Sequence, residues 1–275
     1  MARVKQLDQI TGSLKNLSFY TRKGSDQIFV RTKGGATKEK IKRNPEFEKV
    51  RKNNKEFGGC SKMSKQIRLS FFDLAHVADY NLSSVLCSLA KNIQKADQEN
   101  PVGERSIRLS GFRALLAGFN FNTNNRFDTL LRVALQSSIH REMQQATVDI
   151  PAFACSFGLY LPNGRTPAKP DYSLFRITIS LGIATDLQLN AQKTGYEAVH
   201  STIGSGYKKT STPWYSTQAS IPEQQLVLNI SDPSAIFTDD DTLILTIALE
   251  FGTLDAFGNP TPVKGAGAGK ILGVS

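Results

Sequence analysis

Cysteine is scarce in this chain of 275 residues, which contains only three. Cys60, Cys87 and Cys155 lie far apart, so they form neither a CxxC pair nor a cluster with histidine. A disulfide framework needs an even set of cysteines, and a zinc site needs closely spaced ligands. The sequence supports neither arrangement, and we expect reduced thiols.

Long apolar runs are also missing. No stretch of about 18 apolar residues occurs, so we expect no membrane span. The first residues, MARVKQLDQITGSLK, lack the apolar core of a secretion signal, which predicts a cytoplasmic protein. Release by a signal-independent route would leave no mark on the sequence and stays open.

Patterns that mark enzymes are absent as well. The three histidines, His76, His140 and His200, stand in unrelated contexts, and neither a GxxxxGK[ST] phosphate loop nor a GxSxG motif occurs. We therefore expect a protein that is not an enzyme and uses no cofactor. The cluster Asp239, Asp240 and Asp241 has oxygen ligands of the kind that hold Ca²⁺ or Mg²⁺, but its spacing favours a turn and makes it a weak candidate cation site.

Negative charge is under-represented in the first quarter of the chain. Residues 1–68 contain 18 Lys or Arg and 6 Asp or Glu, a net charge of +12, whereas the other residues contain 16 and 18, a net charge of −2. A basic segment of this kind favours a polyanion such as nucleic acid, or an acidic face of a neighbouring subunit. The candidate contacts are Arg22, Lys23, Arg31, Lys33, Lys38, Lys40, Lys42, Arg43, Lys49, Arg51, Lys52 and Lys55.

The same region contains a pattern of two strands. The runs LKNLSFY and QIFVR flank the turn-forming TRKGSD, and a Gly-Gly joint follows, which predicts an extended β-hairpin arm over residues 1–35. An isolated hairpin is marginally stable in water, so we expect the arm to dock on another surface. The residues assigned to this assembly arm are Leu14, Leu17, Phe19, Tyr20, Ile28, Phe29, Val30, Gly34 and Gly35.

Helical patterns occupy residues 36–128. Asn44 and Pro45 predict a helix start, and the Gly58-Gly59 pair predicts its end. Apolar residues at the helical period then predict one helix over 70–93, and a shorter helix is predicted over 109–119.

From residue 129 the sequence becomes rich in β-branched and aliphatic residues. Runs such as TLLRVAL, SLFRITISLGIAT and DTLILTIALEFGTL are separated by clusters of Pro, Gly and Asn, which predicts an antiparallel β-sandwich over 129–275. The strand over 242–251 is apolar on both faces and is therefore predicted at the centre of a sheet. Residues 192–215 are interpreted as a long loop, and the tail as an edge strand or a flexible extension. The predicted fold class is α+β.

The arm and the helix after it also carry a resemblance. The segments GSLKNLSFYTRKGSDQIFVRTKGG and NPEFEKVRKNNKEFG resemble the GxLxNxxFY, KGG and NPxFxxxRxNxxEFG pattern of an uncharacterised bacterial protein family of Bacteroidetes type. The match covers about the first quarter of the chain. It implies a β-rich C-terminal half and no assigned activity or site residue.

Taken together, these patterns favour a self-assembling structural protein that is not an enzyme. Its partner would be itself, as the arm-exchanging homo-oligomeric subunit of a filament, tube or shell. The alternative is a nucleic-acid-binding protein with a basic N-terminal head. A third hypothesis is a ligand-binding sandwich that uses the aromatic residues of the 192–215 segment, which are Tyr196, Tyr207, Trp214 and Tyr215.

Overall fold

The computed structural model describes residues 3–6, 9–21, 27–32, 34–161, 172–200, 206–230 and 237–275. It contains both helices and antiparallel sheets, which confirms the predicted α+β class. The chain divides into two compact units, Met1–Arg51 and Lys52–Ser275. They are named the N-terminal unit and the main unit below.

The N-terminal unit begins with an antiparallel sheet in which each strand pairs with the next along the chain. Its strands are β1 (Arg3–Gln6), β2 (Gln9–Leu14), β3 (Leu17–Thr21) and β4 (Ile28–Thr32). The single strand predicted over LKNLSFY is wrong, because Lys15 and Asn16 form a tight turn inside it, with Lys15 at a φ of +50°. A two-residue turn between apolar runs makes a hairpin. Most of the predicted TRKGSD turn, residues 22–26, lies outside the described residues.

Short helical segments follow this sheet. Helix α1 spans Lys38–Arg43, and the Thr37 hydroxyl caps it by accepting a hydrogen bond from the backbone N–H of Lys40. A 3-10 turn then covers Pro45–Phe47, and the Asn44 side chain accepts a hydrogen bond from Glu46 N–H. The Asn-Pro pair therefore starts a helical segment, as its sequence predicts.

Helix α2 spans Glu48–Leu69 and continues through Gly58 and Gly59. The helix end predicted at this glycine pair is wrong, because Gly59 has a packing role. A Cβ atom on Gly59 would lie 2.7 Å from Cγ of Tyr196. The missing side chain thus lets an aromatic ring lie directly against the helix backbone.

The single helix predicted over 70–93 is also wrong. A 3-10 helix over Phe72–Val77 and helix α3 over Leu82–Ala96 replace it. The Asn81 side chain causes the interruption, because its oxygen accepts a hydrogen bond from Ser83 N–H and caps a new helix. A further 3-10 helix, Leu109–Leu115, lies where the sequence predicts a short helix.

The rest of the main unit is mostly β-structure. Helix α4 (Phe127–Leu130) lies where a strand is predicted, because the Asn120 side chain accepts a hydrogen bond from Phe127 N–H and fixes a turn there. Helix α5 spans Cys155–Gly158. The strands are β5 (Gln136–His140), β6 (Gln145–Ile150), β7 (Phe153–Ala154), β8 (Leu174–Thr185), β9 (Leu187–Leu189), β10 (Tyr196–Ala198), β11 (Tyr207–Ser211), β12 (Tyr215–Ser216), β13 (Ser220–Ile221), β14 (Gln224–Asn229), β15 (Asp241–Leu254) and β16 (Pro260–Val274).

The largest sheet has the strand order β11-β8-β15-β16, and β12 also pairs with β8. A second sheet has the order β14-β6-β5, and two smaller sheets pair β10 with β9 and β13 with β7. Strand β15 lies between two neighbours, as its apolar pattern predicts, and the tail is the strand β16. The loop predicted over 192–215 is wrong in part, because β10 and β11 lie within it. Strand β11, with the sequence YKKTS, is a polar edge strand that lacks an apolar pattern.

Both faces of β8 and β15 are buried, so these strands are apolar without alternation. On one face, odd-numbered residues such as Ile177 and Leu249 form a cluster with residues of β6 and β14, including Val148 and Leu226. On the other face, smaller residues meet the helices. That second cluster includes Ala184, Ala248, Ile67, Phe71, Leu86 and Phe121.

Candidate functional site

The predicted arm residues lie on a sheet whose two faces differ. Phe19 is opposite Val30, Thr21 is opposite Ile28, and Leu14 is opposite Leu17. Directly opposed residues share a face, and successive residues alternate between faces. One face therefore carries Leu14, Leu17, Phe19, Ile28 and Val30, which are named the apolar face below.

The apolar face carries no charged residue among those described. Its other positions are Gly12, Thr21 and Thr32. The opposite face carries Tyr20 and Phe29, whose rings stack with centroids 5.8 Å apart, and Arg31, whose guanidinium lies 5.6 Å from the Tyr20 centroid. The described charge of the strands therefore lies on the face opposite the apolar face, together with this aromatic pair.

The N-terminal unit has no core of its own among the residues described. None of its described side chains is buried, and Leu14 and Val30 are 57% and 53% exposed. A sheet needs a covered hydrophobic face to be stable in water. The apolar face is therefore a candidate interaction surface. The Gly-Gly joint follows it, and Gly35, with a φ of +100°, is the member that needs glycine.

The predicted polyanion contacts are mostly exposed. Lys38, Lys40, Lys42 and Arg43 are exposed on α1, Lys49 and Lys52 are exposed on α2, and Lys55 is half-buried there. Arg51 instead has a structural role, because its Nη1 donates to the carbonyl oxygens of Ile41 and Asn44 at 2.7 and 2.8 Å. Arg22, Lys23 and Lys33 lie outside the described residues.

Asp239 and Asp240 of the predicted acidic cluster form a turn, and Asp241 is the first residue of β15. The buried Asp241 carboxylate accepts hydrogen bonds from Thr185 Oγ1 at 2.6 Å and from Thr238 N–H at 2.9 Å. Guanidinium groups of Arg113 and Arg141 both donate to the Asp241 carbonyl. The two guanidinium groups at this carbonyl oxygen would repel a metal cation bound beside it. Within the described residues, no group of three metal-ligating side chains occurs.

A charged cleft in the main unit is the site that sequence reasoning missed. Its centre is Glu250, which is fully buried in β15 and lies opposite Arg176 of β8. The Arg176 guanidinium donates to both carboxylate oxygens, from Nε at 2.8 Å and from Nη2 at 3.0 Å. Thr178 Oγ1 also donates, at 2.5 Å. A hydrogen bond with His76, together with these partners, outweighs burial and lowers the pKa of Glu250 to about 2.

His76, from the 3-10 helix above the sheet, completes this network. Its Nε2 lies 3.0 Å from Glu250 Oε1, and its Nδ1 lies 2.7 Å from the Asp73 carbonyl oxygen. Both neighbours accept hydrogen bonds only, so a doubly protonated imidazolium satisfies both. The hydrogen bond with Glu250 accordingly raises the pKa of His76.

The cleft extends from Glu250 to the edge strand β11. Lys209 Nζ lies 2.6 Å from the Asp73 carboxylate, and Ser211 and Thr178 share a hydrogen bond of 2.9 Å. The cavity has a volume of about 280 Å³. Its lining residues are Asp73, Leu74, His76, Arg176, Thr178, Lys209, Ser211, Glu250 and Pro262.

A second buried carboxylate has a structural role. Glu56 of α2 accepts hydrogen bonds from Arg105 at 2.7 and 2.8 Å, from Lys91 at 2.5 Å and from the backbone N–H of Gly103 at 2.8 Å. Despite burial, these donors lower the pKa of Glu56 to about 2. The network joins α2 to α3 and to the segment after it.

Comparisons of the chain with protein-family models, with curated proteins and with solved structures gave no match. The resemblance to a bacterial family therefore stays a prediction. Of the helices in the described ranges, none combines the length and the apolar character that crossing a bilayer requires.

Proposed function

We propose that this chain is a structural subunit that assembles with copies of itself through the apolar face of the N-terminal unit. The observation that supports the proposal is a four-stranded sheet with an uncharged apolar face and no buried side chain among its described residues. Ordering each residue of a sheet costs about 1–2 kcal/mol of backbone entropy. A neighbouring molecule that covers the apolar face would offset this cost.

The surface chemistry favours a protein partner over a polyanion for this face. Phosphates are recognised by Lys and Arg, but the apolar face has neither among its described positions. An apolar, uncharged patch is instead typical of a protein contact. In the proposed assembly, residues 1–35 are the arm and the β-sandwich over 129–275 is the repeating body.

Head-to-tail assembly requires a second surface on the same chain. The hairpin that joins β15 to β16 offers one, because Phe257 at its tip is 90% exposed and Leu254 beside it is also exposed. Aromatic side chains are enriched in protein interfaces, where they act as anchors. We assign this tip as the surface that a neighbouring arm covers.

The proposal is tested by a matched pair of variants in β3. Leu17→Asp places a charge on the apolar face, whereas Ser18→Asp places the same charge on the opposite face. Size-exclusion chromatography with light scattering, after nuclease treatment, measures the mass in low salt and in about 1 M salt. We expect a large, salt-resistant species for the unmodified chain and for Ser18→Asp, and a 30.2 kDa monomer for Leu17→Asp. Deletion of residues 1–35 should also give a folded monomer.

Two results would contradict assembly through this face. One is an unmodified chain that stays monomeric at every concentration. The other is equal assembly of Leu17→Asp and Ser18→Asp.

Nucleic-acid binding is the second candidate, and the exposed basic side chains of α1 favour it. These are Lys38, Lys40, Lys42 and Arg43. Binding to phosphates weakens linearly in log salt concentration, because each contact releases a counterion. A monomer that elutes with nucleic acid before nuclease treatment, and loses it in high salt, would favour this function over assembly.

A further inference from the structure

We infer that the charged cleft of the main unit is a binding site for a small oxyanion, either a carboxylate or a phosphate. The inference does not depend on assembly. It rests on an excess of hydrogen-bond donors and of positive charge in one cavity. The cavity carries three cations, His76, Arg176 and Lys209, and two carboxylates, Asp73 and Glu250.

Glu250 orients the cations, but its carboxylate has no capacity left to accept hydrogen bonds from a ligand. Its oxygens already accept from Arg176, His76 and Thr178, and its side chain is buried. Asp73 is likewise paired with Lys209. A cationic ligand would therefore find both carboxylates already neutralised.

The donors, in contrast, have capacity left. Arg176 has five N–H groups, of which two donate to Glu250, and the described residues offer no acceptor for the other three. Lys209 has three N–H groups, one of them directed at Asp73, and its side chain is 50% exposed. One monoanion in the cleft would balance the charge and accept hydrogen bonds from both residues.

The guanidinium is also held in a fixed orientation. The Trp214 ring lies against it, with Arg176 Cζ 4.7 Å from the ring centroid. Gly252 makes room for this stack, since a Cβ atom there would lie 2.7 Å from Cζ3 of Trp214. A preorganised guanidinium loses little entropy when it binds an anion. The volume of about 280 Å³ suits a small anion.

Trp214 is the only tryptophan of the chain, so its fluorescence reports on this cleft. The full-length protein is titrated with inorganic phosphate in one series and with acetate and citrate in another, at constant ionic strength. We expect a saturable change in fluorescence with at least one of these anions. The series that saturates tells whether the ligand class is phosphate or carboxylate.

Variants of two adjacent lysines provide the control. Lys209→Gln removes a cation from the cleft, whereas Lys208→Gln removes an exposed cation whose side chain points to the other side of β11. Loss of a charge-assisted hydrogen bond should weaken binding about tenfold or more in Lys209→Gln, and Lys208→Gln should bind as the unmodified chain does. Lys209→Arg should restore most of the affinity, which separates loss of binding from loss of folding.

The inference is overturned if none of the three anions gives a saturable change. It is also overturned if Lys209→Gln, folded by circular dichroism, binds as tightly as Lys208→Gln.

Discussion

Two sheets of the same chain differ in how they bury side chains. Strand β15 has twelve consecutive buried residues, because β8 and β16 flank it and both of its faces are covered. Strands β3 and β4 have no buried residue, although they carry Leu17, Phe19 and Val30. Apolar residues alone therefore do not make a core. A strand needs a second layer, and the described part of the N-terminal unit supplies none.

The two units also differ in whether they bury charged side chains. The main unit buries the carboxylates of Glu56 and Glu250, and each has several hydrogen-bond donors around it. The described charges of the N-terminal unit lie at exposed or half-buried positions. Electrostatic stabilisation should therefore arise mainly in the main unit, whereas the N-terminal unit buries none of its described charges.

The two units should differ most in how the free energy of unfolding responds when one aromatic ring is removed from each. Phe121 is fully buried, with its ring centroid 4.5 Å from that of Phe71. Phe121→Ala should lower the free energy of unfolding by about 3–5 kcal/mol, because it leaves a cavity. Phe19→Ala should change it by less than about 0.5 kcal/mol in the monomer, since nothing buries Phe19 fully. Urea unfolding at low protein concentration measures both.

Similar losses for the two variants would mean that Phe19 belongs to a core. In that case the comparison between the units would fail, and so would the reason for a partner on the apolar face.

Taken for each group singly, acid should produce the next largest change in the free energy of unfolding, and it should act on the main unit. The pKa values of Glu56 and Glu250 are lowered to about 2 from an ordinary 4.5. Their stabilisation is therefore fully present above about pH 4.5 and is lost as the pH falls towards 2, by on the order of 3 kcal/mol for each. The free energy of unfolding, measured by urea at a series of pH values, should decrease across this window.

Glu250→Gln provides the control for the acid prediction. It lowers stability at neutral pH, because Arg176 and His76 lose their counter-ion, but it should flatten the decrease below pH 4.5. An unchanged slope in this variant would contradict the assigned role of Glu250. The contribution of His76 to stability has the opposite pH dependence. Because the pKa of His76 is raised above its ordinary value of 6.5, this contribution is fully present below about pH 6.5. It is lost as the pH rises through the raised pKa.

Much of the fold could be predicted from local patterns. The α+β class and the central position of β15 follow from composition and apolar runs. Errors arose where a tertiary contact or a cap decided the outcome. Gly59 lies within a helix because Tyr196 packs on it, and Asn81 interrupts an apolar periodicity that otherwise continues.

The charged cleft shows why the rest could not be predicted. Glu250 interrupts the apolar run LTIALEFG and Arg176 interrupts LFRITIS, so the sequence does indicate two unusual charges. Their partnership depends on the register between β15 and β8, which no local pattern sets. His76 joins them from a 3-10 helix that sequence periodicity assigns to a longer helix.

The smallest expected effect concerns the Gly-Gly joint of the N-terminal unit. A Cβ atom on Gly34 or Gly35 would meet no atom within 4 Å, but only Gly35 has a positive φ, of +100°. Gly35→Ala should therefore strain the backbone and destabilise the folded unit by about 1 kcal/mol. Gly34→Ala should instead stabilise the folded unit by about 0.4–1 kcal/mol, because alanine lowers the conformational entropy of the unfolded chain. Since no described side chain of this unit is buried, global unfolding would not detect either change, and amide hydrogen exchange of β3 and β4 is the suitable measurement. Exchange should be faster in Gly35→Ala than in Gly34→Ala. Equal rates would mean that the sheet orders independently of the joint, and the arm would then end at Thr32.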